Sequence, residues 1–403
     1  MDKNLPSGIE LTVLNDKFRL DPYPILRELR RAAPVRYDER MKCWFVTGAS
    51  DVRHLLSDAG MSSDPKNWQS SSQTARGITR TAPRPSMIFS DDPLHKRLRS
   101  RVARVLNAKY ALDVRRRARE VAVELVGRIR GAEFELVESV AAPLPTIIVA
   151  ELLGIPKDEQ EMFKQWSDDV VANVGNIGGD KQRLKRAQES QQSLEALSQR
   201  VVAERRSNPQ PDLISSLVAR GDGESALSDE EILGLCTLVL TAGTTTTRDL
   251  IGNGVRALVR YPEQLTFLRA DPSLLENAVE EMLRFDTPVI IAQRFATRDV
   301  SVRDHVIRKG EAVITSLAAA NRDEDVHPEP DRFEVGREQI HVQSFGGGRH
   351  LCLGAPLARV EAQEAIAALL GRFKALTESP RGMRLRRNQG YRGLAEYWLS
   401  GVE

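Results

Sequence analysis

At 403 residues, with 41% hydrophobic and 28% charged side chains, the chain can bury a substantial core, and a largely disordered protein is excluded. A net charge of +2 gives no case for nucleic acid, and three cysteines, Cys43, Cys236 and Cys352, are too few and too far apart for a disulfide framework or a zinc-type spacing. A reducing cytoplasm is the expected setting.

The first residues, Met1 to Thr12, mix Asp, Lys, Pro and Glu with single apolar side chains, unlike a secretory or anchoring run. Helical spacing of apolar residues follows at Ile25 to Ala32, Arg97 to Leu106, Leu112 to Ile129, Leu184 to Ala203, Glu230 to Arg260, Pro272 to Arg284 and Pro356 to Phe373. Alternating segments at Val35 to Tyr37, Cys43 to Thr47, Phe295 to Val302 and Ala312 to Ser316 predict short strands. The fold class is therefore mainly α with small β-sheets. The longest central apolar run, Ile232 to Leu240, is interrupted by Gly234, so no membrane span is expected. Two stretches, Ser57 to Pro93 and Gly175 to Asp180, are predicted loops, suited to lids or to plain connections.

The segment from Phe345 through Gly346, Gly347, Gly348, Arg349, His350, Leu351, Cys352 and Leu353 to Gly354 runs from a glycine-rich loop into a helical pattern. Backbone N–H groups at that helix start favour a thiolate at Cys352, the form that binds metal. Taken alone, such a cysteine more often fills a small buried apolar position. The whole string, however, resembles the haem-ligand loop of the cytochrome P450 family at Phe345, Gly346, Gly348, His350, Cys352 and Gly354. The resemblance runs over nearly the whole chain. It implies a single domain over residues 1–403, with β-containing parts near 1–60 and 290–340 and a helical remainder. It also implies haem b held between the central long helix and the helix after the cysteine, with Cys352 as iron ligand, Phe345 shielding the sulfur and His350 at a propionate.

Other stretches look like further family elements. Glu281 and Arg284, three apart on one helix face, could be an ordinary surface pair. Beside the haem loop they are similar to the Glu-x-x-Arg helix of the family, with Arg332 as the third member of a structural triad. His95 and Arg99, four apart, resemble the propionate-binding helix, and Arg294 stands like a third propionate contact.

The run from Leu238 to Asp249 carries Gly243 and threonines at 244–247, poor helix formers inside a helical pattern. Such a conflict suits a functional groove or a bent buried helix. In the family this is the oxygen-binding groove. Ala242 and Gly243 match it, Thr246 takes the place of the oxygen-side hydroxyl, and Thr245 stands where most members carry Asp or Glu. A water chain through Thr245 and Thr246, polar groups of the substrate, or chemistry other than hydroxylation could each account for that departure. Asp249 is a weak substitute for the acid.

An apolar substrate pocket is expected from Met87, Ile88, Phe89, Leu238, Ala242, Val289, Ile290 and Ile291, residues equally suited to core packing. The resemblance further implies O2 and a separate electron donor, a ferredoxin with its reductase, which Lys96, Arg97, Arg101, Arg104 and Arg349 could meet as a basic face. The expected reaction is monooxygenation of a small organic substrate, as in secondary metabolism. Oxidative coupling or rearrangement, or ligand binding without turnover, are the alternatives that Thr245 raises.

Overall fold

Residues 5–69, 85–173, 181–219 and 226–402 are described by the computed structural model of the chain. Its organising element is the central helix Asp229–Arg260. Ser228 starts it as part of a capping box, its hydroxyl receiving the Glu231 N–H while the Glu231 carboxylate accepts the N–H of Ser228. Pro262, at the start of the next helix, marks where it stops. Buried residues occupy most of its circumference, as expected of a helix enclosed by others.

Helices that pack around it include the apolar Pro143–Leu153, Gln160–Asn173, Lys181–Ser207 and Leu275–Phe285. The helix after the cysteine, Ala355–Arg372, also packs on it and on Ala108–Arg128. Small side chains line that second contact: Ala111, Ala118 and Ala122 are buried on one helix, Ala362 and Ala365 on the other. At its edge Arg115 and Arg119 both reach the buried carboxylate of Glu364, at 3.0 and 2.8 Å.

Among the described residues, ten strands form three sheets. The first has the order β1-β2-β8-β5-β3, with β1 Val35–Asp38, β2 Cys43–Val46, β3 Met61–Ser62, β5 Ile291–Ala296 and β8 Ala312–Ser316. In this sheet β2 and β8 pair in parallel, and both are buried along their whole length, so they read as apolar runs covered on both faces. A second sheet joins β4, Glu133–Glu135, to the C-terminal hairpin of β9, Ala375–Leu385, and β10, Leu394–Val402. A small hairpin of β6, Val300–Val302, and β7, His305–Ile307, completes the set.

The helical expectations lie within a few residues of the observed helices. The strand expected over Phe295 to Val302 is two strands, β5 and β6, separated at Thr297–Asp299. The β9–β10 hairpin and β4 were not anticipated. The Ser57 to Pro93 stretch holds β3 and short turns at Pro65–Asn67 and Met87–Phe89, while its residues 70–84 lie outside the described residues. Gly175 to Asp180 lies outside them as well.

Candidate active site

The cysteine loop is closed on itself. The Cys352 N–H donates to the Phe345 carbonyl at 3.0 Å and the Gly346 N–H to that of Gln343 at 2.9 Å. Gly346 and Gly348 take φ values of +71° and +61°, and a Cβ on Gly348 would lie 2.3 Å from the Leu56 carbonyl oxygen. Glycine is therefore required at 348 by conformation and by space together. Pro356 at the start of the next helix fixes the exit from the loop.

Cys352 is exposed, and crowding around its sulfur pushes the thiol upward in pKa. The N–H groups of Gly354 and Ala355 and the charges of Arg99 and Arg359 pull the other way. Since one side of the residue meets solvent, hydration weakens the upward push. A ring of donors around one sulfur is the setting of a metal-binding thiolate. Arg359 stacks over the Phe345 ring at 4.5 Å and is fixed by Glu280 at 2.8 Å, so Phe345 is clamped against the loop.

Beside the loop stand the other cofactor candidates. His95, on helix Leu94–Ala103, and His350 have ring centroids 4.2 Å apart, and the buried Nε2 of each has no hydrogen-bond partner. Burial, together with Arg294, His95, Arg349 and Arg99, holds the His350 imidazole down to about 3. Arg294, buried on β5, donates to its neighbour's carbonyl at Gln293, 2.8 Å away, and burial lowers it to about 10. Arg99 donates to the Leu351 carbonyl at 2.7 Å. Buried donors that lack acceptors call for an anionic group among them. The two carboxylates of a haem fit that donor set, and a soft sulfur ligand fits its iron.

The helix Leu275–Phe285 carries the expected ion pair fully buried, Glu281 to Arg284 at 2.6 and 2.8 Å. The third side chain on Glu281 is Arg337, at 3.2 and 3.3 Å, and not Arg332. The Arg332 side chain is 58% exposed and lies near Glu329 and Glu334. Its backbone carbonyl is what joins the cluster, accepting from Arg284 at 3.0 Å and Arg337 at 2.9 Å. From Arg284 the network reaches the Asn321 carbonyl, and the Asn321 side chain holds Gln343 and Ser344 at 2.6 and 2.9 Å. The clamp thus holds the backbone that leads into the cysteine loop.

On the central helix, Thr244 and Thr246 each bond back to the carbonyl four residues earlier, Leu240 and Ala242, at 2.8 Å. Thr245 is buried with its hydroxyl unpartnered. Gly243 serves packing: a Cβ there would lie 2.9 Å from Val149 on helix Pro143–Leu153. Asp249 is ion-paired to Arg386 of the C-terminal hairpin. Glu361, not anticipated, is a buried carboxyl facing Thr247 from the helix after the cysteine, and burial pushes it up to about 8. Only a charged residue within an otherwise apolar helical pattern marked it in the sequence.

Among the expected pocket residues, the Met87–Phe89 turn packs beside the central helix with Ile88 exposed, and Leu238 and Val289 are half-buried. Ile290 is not a lining residue. It sits in the core beside the first sheet with Leu26, Phe45 and Ile314, whereas Val289 before it packs against a separate apolar cluster. Ile291 is half-buried against the same core. The basic face shrinks too: Arg101 is buried and Arg97 is paired with Glu231, leaving Lys96 and Arg104 exposed and Arg349 half-buried.

Among the described residues no helix is long and apolar enough to cross a membrane. Residues 37–394 match the family described as Cytochrome P450. The chain is 37% identical to the cytochrome P450 monooxygenase PikC of Streptomyces venezuelae, over 99% of this chain and 96% of that one. It is 33% identical to the 6-deoxyerythronolide B hydroxylase of Saccharopolyspora erythraea, over 90% and 91%. The structure of the versatile cytochrome P450 enzyme CYP109B1 from Bacillus subtilis superimposes with a TM-score of 0.83 at 33% identity, covering 95% of this chain and all of that one. A glycine-rich cysteine loop, an adjoining set of buried donors and likeness along nearly the whole length agree, and the chain belongs to the cytochrome P450 family of haem-dependent monooxygenases.

Proposed function

We propose that the protein inserts one oxygen atom of O2 into a small, largely apolar organic substrate in secondary metabolism. Haem b would be its cofactor, with its iron held by the Cys352 sulfur, and a ferredoxin with its reductase the electron source in the cytoplasm. The observation that carries this reading is the placement of the His95 and His350 rings side by side next to the loop of Cys352, the buried Nε2 of each without a hydrogen-bond partner. Haem held there supplies the activation of oxygen.

The chain's own residues do the rest. Gly354 and Ala355 direct N–H groups at the Cys352 sulfur, and His95, His350, Arg99 and Arg294 would hold the propionates. The glycines at 346 and 348 shape the loop. Ala242 keeps the central helix slim where oxygen and substrate lie, Gly243 lets helix Pro143–Leu153 pack close behind it, and Thr246 holds a hydroxyl there. Met87, Ile88, Phe89, Leu238 and Val289 exclude water from the substrate. Lys96, Arg104 and Arg349 offer the donor a basic surface.

Turnover with isotopically labelled O2 tests the reaction. Product carrying the label supports insertion, in keeping with a relative named as a hydroxylase. Oxidised product without label would point to coupling or rearrangement instead.

A further inference from the structure

We propose that Asp249, one helical turn beyond Thr245, is the positioning residue that brings protons to the Thr245–Thr246 hydroxyl pair, a role that rests on the oxygenation reading above. Insertion of one oxygen atom from O2 releases the other as water, so each turnover takes up two electrons from the donor and two protons from solvent. The hydroxyl of Thr245 and Oδ1 of Asp249 are both buried and neither has a hydrogen-bond partner, in residues 2% and 1% exposed. Thr244 and Thr246, in contrast, spend their hydroxyls on backbone carbonyls.

Residues four apart share a helix face, and helical side chains lean toward the N-terminus, so the Asp249 carboxyl leans over the turn that carries Thr245. Leaving two such oxygens unpaired is costly, and one bridging water satisfies both.

The carboxyl is built into its place. A Cβ on Gly393 would lie 1.9 Å from Asp249 Oδ1, so glycine at that position makes its room. Arg386 binds the other oxygen, and Arg248 Nε lies 3.8 Å from Oδ1. On the outer side Arg248 acts electrostatically on Asp168, whose side chain is 44% exposed on helix Gln160–Asn173. Nε and Nη2 of Arg248 themselves make no hydrogen bond. Polar groups therefore run from the surface at Asp168, past Arg248, to Asp249 and Thr245. Arginine keeps its own protons, so Arg248 holds water and carboxylates in line while the proton travels between them. In the transfer, the Asp249 O–H bond breaks as the bridging water takes its proton and yields another to the Thr245 oxygen, which gives up its own proton toward Thr246 and the oxygen atom that leaves as water. The carboxylate regains a proton from the Asp168 side, and no electron moves in these steps.

Three variants test this with a surrogate ferredoxin and reductase: Thr245→Val, which leaves the Asp249–Arg386 pair intact, Asp249→Asn, and Asp249→Asn combined with Thr245→Asp. Each is first checked for the red-shifted Soret band of its reduced carbon monoxide complex, which separates loss of haem from loss of proton delivery. Thr245→Val and Asp249→Asn are expected to lower product per reducing equivalent several-fold, with peroxide released instead, and the double variant to restore most of it. A high-resolution crystal structure of the wild type is expected to show a water within hydrogen-bond distance of both Thr245 Oγ1 and Asp249 Oδ1. Wild-type coupling in Thr245→Val overturns the proposal, as does a double variant no better than Asp249→Asn, which would make Asp249 a structural tie only. If Asp249→Asn does not fold, Thr245→Val and the bridging water decide. Wild type that keeps the Soret band yet gives no oxygenated product counts against the oxygenation reading, and the crystal structure then decides whether the bridge exists.

Discussion

Two buried polar clusters, one around Glu281 and one around Thr245, are assembled from similar residue types and differ in how completely they are satisfied. In the first, Glu281, Arg284, Arg337, Asn321 and Ser344 all find partners, and none leaves a buried side-chain atom unpaired. In the second, Thr245, Arg248, Asp249 and Arg386 each leave at least one buried atom without a partner. Buried polar groups in folded proteins are nearly always paired, so the saturated cluster reads as framework. The unsaturated one reads as a place shaped for something that passes through it, where folding rules yield to function.

The contrast breaks most visibly at the framework. Glu281→Ala leaves Arg284 and Arg337 buried without their carboxylate, and urea denaturation should show a loss of about 3–5 kcal/mol, with haem retention falling alongside. Substitution in the other cluster should cost function before fold. Glu361, which faces Thr247 there, keeps its proton in the folded state up to about 8, whereas the unfolded chain releases it in the ordinary carboxylate range. Folding therefore weakens as pH rises from that range to about 8, and Glu361→Gln should raise the melting temperature more at pH 8 than at pH 5. Thr246→Ala should leave the fold intact and lower product formed per reducing equivalent, and unchanged coupling would remove its hydroxyl from proton handling. The smallest effect belongs to Arg332→Ala. Its exposed side chain is dispensable and its carbonyl survives the substitution, so the expected change is within about 0.5 kcal/mol, against a marked loss for Arg337→Ala.

The contrast between Arg332 and Arg337 also shows where sequence reading stops. Glu281 and Arg284 lie on one helix, and their spacing alone makes them neighbours. The third arginine arrives from an irregular segment some fifty residues on, where no period tells which side chain turns inward. Helices were legible because apolar spacing reports burial directly, as in Asp229–Arg260 and Ala355–Arg372. The β9–β10 hairpin was not. Its strands carry Glu, Ser, Pro, Arg and Gly, and pair with register shifts that blur the alternation of faces. Ile290 was placed in the pocket because it is apolar and adjacent to Val289, and only the direction of an extended segment sends it to the core. The cysteine loop was the most legible part, since its glycines, histidine and cysteine answer to a few local constraints that the sequence writes out in order.

The central claim is that Cys352 supplies a thiolate to haem iron. Its most direct test is the absorption spectrum of the reduced protein with carbon monoxide, for wild type and for Cys352→Ser. A strongly red-shifted Soret band in the wild type that is lost in the variant is the predicted result. A wild type that takes up haem without that band, or a variant that keeps it, would contradict the assignment of Cys352 as the ligand.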